Sequence, residues 1–200
     1  MLELELADAR RHACDLLPAL GELLQRSQLR TSALEAICIG IGPGSFTGLR
    51  VGVATALGLA QSTGAQLRAV PSFAALAFRE LEPGQELAIA LDARSNGWYF
   101  ARYRRNDQDV TTLEAPCVLG QEELLERLRN SPRTHIDGGV AKLLSSAGMP
   151  RDNCQMTTQP RASSVAQLGA RALASEGPHA ALDCEPLYLR PFVVKHRKRR

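Results

Sequence analysis

Leu2, Leu4 and Leu6 alternate with Glu3 and Glu5, the period-two pattern of a strand with one wet face. Asp8 then offers an N-cap for a helix. In that helix Cys14, Leu16, Leu17, Leu20, Leu23 and Leu24 recur at helical spacing, and Pro18 interrupts or kinks the run. Thr31 and Ser32 open a short turn or helix through Leu34. Ala36-Ile37-Cys38-Ile39-Gly40-Ile41 is continuous, apolar and β-branched, which predicts a strand buried on both faces. A glycine-rich turn over Gly42–Gly48 leads into a helix from about Leu49 to Ser62. Gln66–Val70 predicts a third strand, and Ser72 caps a helix running to about Leu81. Strand and helix alternate throughout, which is the pattern of an α/β unit.

Glu82-Pro83-Gly84-Gln85 is the clearest boundary signal. Beyond it, Leu87–Leu91, Trp98–Arg104 and about Val110–Ala115 predict three consecutive strands, joined by turns at Arg94–Gly97 and Asn106–Asp109. Gln121–Arg129 predicts an amphipathic helix, His135-Ile136 a short strand and Gly138-Gly139 a turn. Ser163 and Ser164 cap a helix of small and apolar residues that runs to about Ser175 and ends at Gly177-Pro178. The expected domains are an N-terminal α/β lobe over 1–82, a second α/β lobe over 83–190 and a basic tail over 191–200.

Composition narrows the function classes. In 200 residues, 44% are hydrophobic and 22% charged, enough apolar material for a buried core and against a wholly disordered chain. The apolar runs are too short to span a bilayer, and the N-terminus lacks the basic region of a secretory signal. Five cysteines with no CxxC pair are expected to be reduced thiols, which places the protein in the cytoplasm. The four histidines form no HxxxH or HExxH pair, so no metal site is expected. Net charge is +3, but five cations crowd the last six residues as Lys195, Arg197, Lys198, Arg199 and Arg200. Taking those five from the 24 Lys and Arg leaves 19 against 21 Asp and Glu, a net of −2. The body is near neutral and the tail is basic, either a solvated arm or a contact for phosphates.

The stretch Gly42-Pro43-Gly44-Ser45-Phe46-Thr47-Gly48-Leu49-Arg50-Val51-Gly52 joins a strand to a helix. Glycines permit a sharp turn and close backbone approach, and Ser45 and Thr47 are placed to cap the helix. Free N–H groups at such a helix start can also hold a phosphate, but the GxxxxGK[ST] pattern is absent. The alternative is a tight turn that packs helix on sheet. Gly48, Gly52, Ala54, Ala56, Gly58 and Ala60 make the helix small-sided, while Val51, Thr55 and Leu59 share one face. Small faces allow close helix approach, within the lobe or against a partner.

The GPGSFTGLRVG stretch resembles the signature of the TsaB family, also called YeaZ. Three further islands keep that family's order: His12–Leu20, Asp92-Ala93-Arg94 followed by Tyr99, and Cys184-Glu185-Pro186-Leu187-Tyr188-Leu189-Arg190. The resemblance implies the two-lobed fold shared by actin, sugar kinases and Hsp70. It implies a non-catalytic role in forming N6-threonylcarbamoyladenosine at position 37 of tRNA, beside a metal-holding catalytic paralogue, TsaD, and a small ATPase, TsaE. Homodimerisation is expected. ATP or ADP is expected only in the complex with those partners, none on this chain alone, and tRNA contact is either indirect or through the basic tail. By the same resemblance, the partner interface and signature loop comprise His12, Leu16, Leu20, Gly42, Pro43, Gly44, Ser45, Phe46, Thr47, Gly48, Arg50, Val51, Gly52, Thr55 and Leu59.

Two departures stand out. The family opens with a strand of the type ILAIDTAT and returns on a second strand, whereas this sequence begins at what resembles the third. The N-terminal lobe is therefore expected to be incomplete, through a start codon placed too late, a shortened clone or a real loss. A real loss predicts poor solubility or a swapped dimer, because it bares a sheet edge and apolar helix faces. The second departure is Asn96-Gly97, where the family has Gly-Glu; Asn-Gly suits a hairpin turn. Asp92, with Arg94 beside it, and Asp137 are the isolated candidates for a carboxylate near a cleft, with turn capping as the alternative. No residue is assigned a catalytic role. A stand-alone nucleotide-binding actin-like enzyme or a glycoprotease-type hydrolase is the alternative function.

Overall fold

In the computed structural model, residues 1–6, 12–94, 97–157 and 159–189 are described. The elements run α1 (His12–Arg26), β1 (Ala36–Gly40), α2 (Phe46–Thr63), β2 (Gln66–Val70), α3 (Ser72–Glu80), β3 (Glu86–Asp92), β4 (Trp98–Arg105) and β5 (Val110–Leu119). They continue as α4 (Gln121–Arg129), β6 (Thr134–Ile136), α5 (Gly138–Ser146), β7 (Cys154–Met156) and α6 (Ala162–Glu176). Two sheets organise the described residues. β1 and β2 pair in parallel, and a mixed sheet follows the order β5-β4-β3-β6-β7. β3–β4–β5 is an antiparallel meander, while β6 and β7 join in parallel to β3.

The helices separate and cover these sheets. α3 lies between them, with Phe73, Ala74, Ala75, Leu76, Ala77 and Phe78 all buried, because Phe and Leu anchor the packing while alanines allow approach on every side. Full burial of a side chain such as Phe73 or Leu76 contributes about 1.5–3 kcal/mol. The same core draws in Val70 from β2, Leu87 and Ile89 from β3, Ala101 and Tyr103 from β4, and Val165 and Leu168 from α6. α4 and α5 cover the opposite face of the larger sheet through Leu124, Leu128, Val140, Leu143 and Leu144. α2 covers the outer face of the small sheet, where Ala56 and Ala60 meet Leu67, Ala69 and Cys184. The result is a mixed α/β arrangement with helices on both faces of each sheet.

The structure departs from the sequence reading at several places. Met1–Leu6 forms no strand; Glu3 instead reaches the start of α6, accepting hydrogen bonds from the Ser163 N–H at 3.0 Å and the Ser163 hydroxyl at 3.3 Å. An alternating run becomes a strand only where a neighbour completes its ladder. That carboxylate does the capping expected of Ser163 and Ser164, which lie inside the first turn behind N-cap Arg161. α1 runs through Pro18 without a break. Asp8 lies outside the described residues. β1 is half-buried rather than covered on both faces. Ser72 is the first residue of α3, not its cap, and its hydroxyl is used elsewhere. Gly138-Gly139 opens a helix rather than a turn, because the Asp137 carboxylate caps it by accepting the Val140 N–H at 3.0 Å. β5 extends to Leu119, past the expected Ala115, and β7 adds an edge strand of three residues, too short for an apolar period to show.

Candidate functional site

The loop after β1 is built from its glycine outward. Gly42 has φ +100°, a conformation that favours glycine, and a Cβ there would press on the tip of the Leu49 side chain, whose Cδ1 lies 2.7 Å away. The Gly42 N–H donates to Ser72 Oγ at 3.0 Å, and the Ser72 N–H donates to the Gly42 carbonyl at 2.8 Å. This reciprocal pair fastens the loop to the head of α3. Gly42 and Pro43 are buried, whereas Gly44, Ser45, Phe46 and Thr47 face solvent. Ser45 is the N-cap of α2: its hydroxyl accepts the Gly48 N–H at 3.3 Å, and its carbonyl accepts the Leu49 N–H at 2.9 Å. Thr47 lies in the first turn and makes no cap.

α2 divides its small residues between two sides. Val53, Ala56 and Ala60 are buried against the small sheet. Val51, Gly52, Thr55 and Leu59 are half-buried, and a Cβ on Gly52 would meet Ile39 Cδ1 at 3.4 Å, so Gly52 serves packing on β1. Arg50, Ala54 and Gly58 point to solvent, and nothing lies within 4 Å of where a Gly58 Cβ would sit. α1, which His12 begins, packs beside α2. Leu16, Leu20, Leu23 and Leu24 are half-buried there and Leu17 is 59% exposed; none of the described α1 side chains is fully buried. The exposed positions of the two helices include Leu17, Ala54 and Gly58 together with the charged Glu22, Arg26 and Arg50.

At the N-terminal end of α2, the Arg50 guanidinium lies 3.9 Å above the centre of the Phe46 ring, and its Nε–H donates to the Tyr188 hydroxyl at 2.9 Å. The Phe46 and Tyr188 rings lie 5.3 Å apart, centre to centre. Tyr188 ends a strap that crosses the small sheet. The Arg68 guanidinium pairs with Glu176 and donates to the Gly177 carbonyl at 3.0 Å. The His179 N–H donates to the Leu67 carbonyl at 2.8 Å, and its Nδ1 accepts the Ala69 N–H at 3.2 Å. Cys184 is 1% exposed beneath α2, and the Leu187 N–H donates to the Ile41 carbonyl at 2.8 Å. Arg50 and Tyr188 stand 138 residues apart, so no local pattern announces their contact.

The carboxylates come together at the far end of β3 and β6. The Asp92 N–H donates to Asp137 Oδ2 at 2.8 Å, and Asp92 Oδ1 accepts the Arg94 N–H at 2.6 Å. A Cβ on Gly139 would lie 2.7 Å from Asp92 Cβ, so the glycine makes room for that side chain. Asp92 closes the turn, with Arg94 in the left-handed region at φ 60°, and Asp137 caps α5. A nucleotide phosphate at the head of α5 would meet two carboxylates and a capped N–H, so these residues do not fit one. Among the described residues no group of three or more His, Cys, Asp or Glu gathers as a metal would require. Burial pushes the thiols of Cys38, Cys117, Cys154 and Cys184 up, away from the thiolate form a nucleophile needs. No helix among the described residues is long and apolar enough to cross a membrane.

Comparison with known proteins places this geometry. The family model for TsaD, tRNA N6-adenosine threonylcarbamoyltransferase, matches residues 5–178. The tRNA threonylcarbamoyladenosine biosynthesis protein TsaB of Haemophilus influenzae is 31% identical over 92% of this chain and 82% of its own length. The protein of the same description from Escherichia coli is 27% identical over 92% of this chain and 83% of its own. A solved structure of YeaZ from Pseudomonas aeruginosa superposes with a TM-score of 0.75 at 28% identity, over 90% of this chain and 85% of that one. The signature loop, the two-sheet α/β fold and these relatives agree: the chain belongs to the TsaB (YeaZ) family.

Proposed function

We propose that this chain acts in tRNA threonylcarbamoyladenosine biosynthesis as a non-catalytic, cytoplasmic subunit that pairs with a TsaD-like catalytic paralogue. α1 and the outer side of α2 form the docking face, which also serves a homodimer when the paralogue is absent. The observation that carries this reading is the outer surface of α1 and α2, where Leu17 is 59% exposed and Ala54 and Gly58 leave space for a close neighbour. Apolar helix faces of this kind are stabilised when a second helix covers them. The capped head of α5 and the raised thiols support assigning the chemistry, and any ATP or ADP, to partners that include a TsaE-like ATPase. tRNA then reaches the paralogue's site with this chain as support.

Gly58→Leu is the cleanest test, because it adds bulk on the solvent side and raises helix propensity by up to about 1 kcal/mol. The variant keeps or gains thermal stability and loses at least about tenfold in affinity for a co-purified TsaD-like subunit, a change of roughly 1.4 kcal/mol. Unchanged pairing refutes the docking face. Robust ATP turnover by the isolated chain refutes the non-catalytic role.

A further inference from the structure

Arg50 is the only charged residue in α2, and Arg50, Ala54 and Gly58 follow one another at four-residue intervals along its exposed side. The proposed docking stripe therefore ends, at the head of the helix, on a guanidinium. That group is held in place. It lies 3.9 Å above the centre of the Phe46 ring and 5.7 Å from the centre of the Tyr188 ring, and its Nε–H donates to the Tyr188 hydroxyl at 2.9 Å. Its two terminal nitrogens make no hydrogen bond or ion pair among the described residues. Asp183 and Glu185 are exposed on the same strap as Tyr188, yet neither is a partner of Arg50. The Asp183 carboxylate instead accepts the Ala180 N–H at 3.2 Å. Ring, hydroxyl and strap thus fix the plane of the guanidinium and leave its fork open.

We propose that Arg50 is the charged anchor of the docking face and takes an Asp or Glu side chain of the TsaD-like subunit through its two terminal nitrogens, with Tyr188 as the residue that positions it. The inference rests on the function proposed above and adds to it the element that sets register and specificity. A planar fork matches the two oxygens of a carboxylate, and orienting it beforehand lowers the cost of ordering the pair. Tyr and Arg are also the side chains that most often anchor protein interfaces. Ala54 and Gly58 supply close contact along the stripe, and the charge at its end fixes which way the partner lies. Carboxylates three and five residues before Tyr188 would repel a phosphate-rich polymer, whereas a single acidic side chain needs only the one guanidinium.

The test is the affinity of the full chain for a separately purified TsaD-like subunit, by calorimetry at low and high salt, with thermal melting of each variant alone. Arg50→Gln melts within about 3 °C of the parent, as loss of one exposed cation–ring contact allows. It weakens pairing at least about tenfold, and the affinity that remains loses most of its salt dependence. Arg50→Lys recovers only part, because an ammonium cannot make the paired contact. Tyr188→Phe keeps the ring and drops the hydroxyl; it weakens pairing about threefold and has no further effect once Arg50→Gln is present. A Tyr188 that only fastened the strap would lower the melting temperature and weaken pairing equally in both backgrounds. Zero-length carbodiimide coupling of the Arg50→Lys chain, with the subunit in excess, joins position 50 to an Asp or Glu of the subunit, read by peptide mass spectrometry. The inference is overturned if Arg50→Gln pairs as the parent does, or if position 50 couples only to another copy of this chain. Normal pairing by Arg50→Gln with loss of pairing in Gly58→Leu removes the anchor and keeps the docking face. Normal pairing by both variants removes the docking face as well.

Discussion

β1 and β3 are close relatives as sequences: Ala-Ile-Cys-Ile-Gly against Leu-Ala-Ile-Ala-Leu in the middle of the longer strand. Their surroundings differ. β3 has β4 on one side and β6 on the other, with helices over both faces, and Leu87, Ala88, Ile89 and Ala90 are each 0% exposed. Among the described residues β1 pairs with β2 alone, and Ile37, Cys38 and Ile39 stay half-buried. An apolar run therefore reports a strand's preference for cover, not the cover it receives. The difference also separates the tasks of the two sheets. The larger one closes over both faces of its central strand, while under the function proposed above the smaller one and its helices keep the surface through which other molecules are met.

The largest expected effect probes the closed sheet. Ile89→Ala costs about 2–5 kcal/mol in a denaturant titration, whereas the same change at Ile39 costs about 1 kcal/mol. Equal losses that grow with protein concentration would show that β1 gains cover from a second molecule. Next comes the junction between the sheets. A Cβ at Gly169 of α6 would lie 2.3 Å from Cys38 Sγ, so Gly169→Ala destabilises by about 1–3 kcal/mol, and adding Cys38→Ala recovers part of the loss. Full additivity of the two would mean that α6 does not press on β1 this closely.

The smallest effect is a pH dependence confined to the closed sheet. His135, 2% exposed, is held below the ordinary imidazole range chiefly by burial. Glu80 across from it opposes that shift, as does Gln155 on the neighbouring strand, while Arg133 adds to it. The neutral ring belongs to the folded state, so stability is full above the unfolded value of about 6.5 and declines as pH falls through it, by at most about 1.4 kcal/mol per unit. His135→Asn flattens the thermal-melt midpoint between pH 7 and pH 5. A parent chain with no slope in that window would place the ring in water.

Most of the strands and helices were legible because their apolar periods are local. Gln121–Arg129 and Gln66–Val70 fall where the pattern puts them; the glycine-rich turn does so only to Ser45, because Ser45 caps α2 and the helix starts at Phe46, three residues before the expected Leu49. What escaped depends on partners far along the chain. Glu3 caps a helix 160 residues away, and Ser72 is drawn from capping α3 to holding Gly42. At Gly138-Gly139 the glycines suggested a turn, yet Asp137 before them and Val140, Leu143 and Leu144 after them carried a readable helix signal. In the candidate site, the loop and the small-sided helix were visible in sequence. The Arg50–Tyr188 contact, the division of α2 into an inner and an outer side, and the Asp92–Gly139 fit were not, since each is a product of the assembled fold.

The strap also fixes an order of events during synthesis. β2 leaves the ribosome early, but the Ala69 N–H meets its acceptor on His179 only when some 110 further residues have been made. α6 and Cys184 arrive equally late, so the opening third of the molecule waits, apolar and unsealed, for its closing stretch. Nascent chains stalled before residue 177 are therefore the form of this protein most in need of a chaperone.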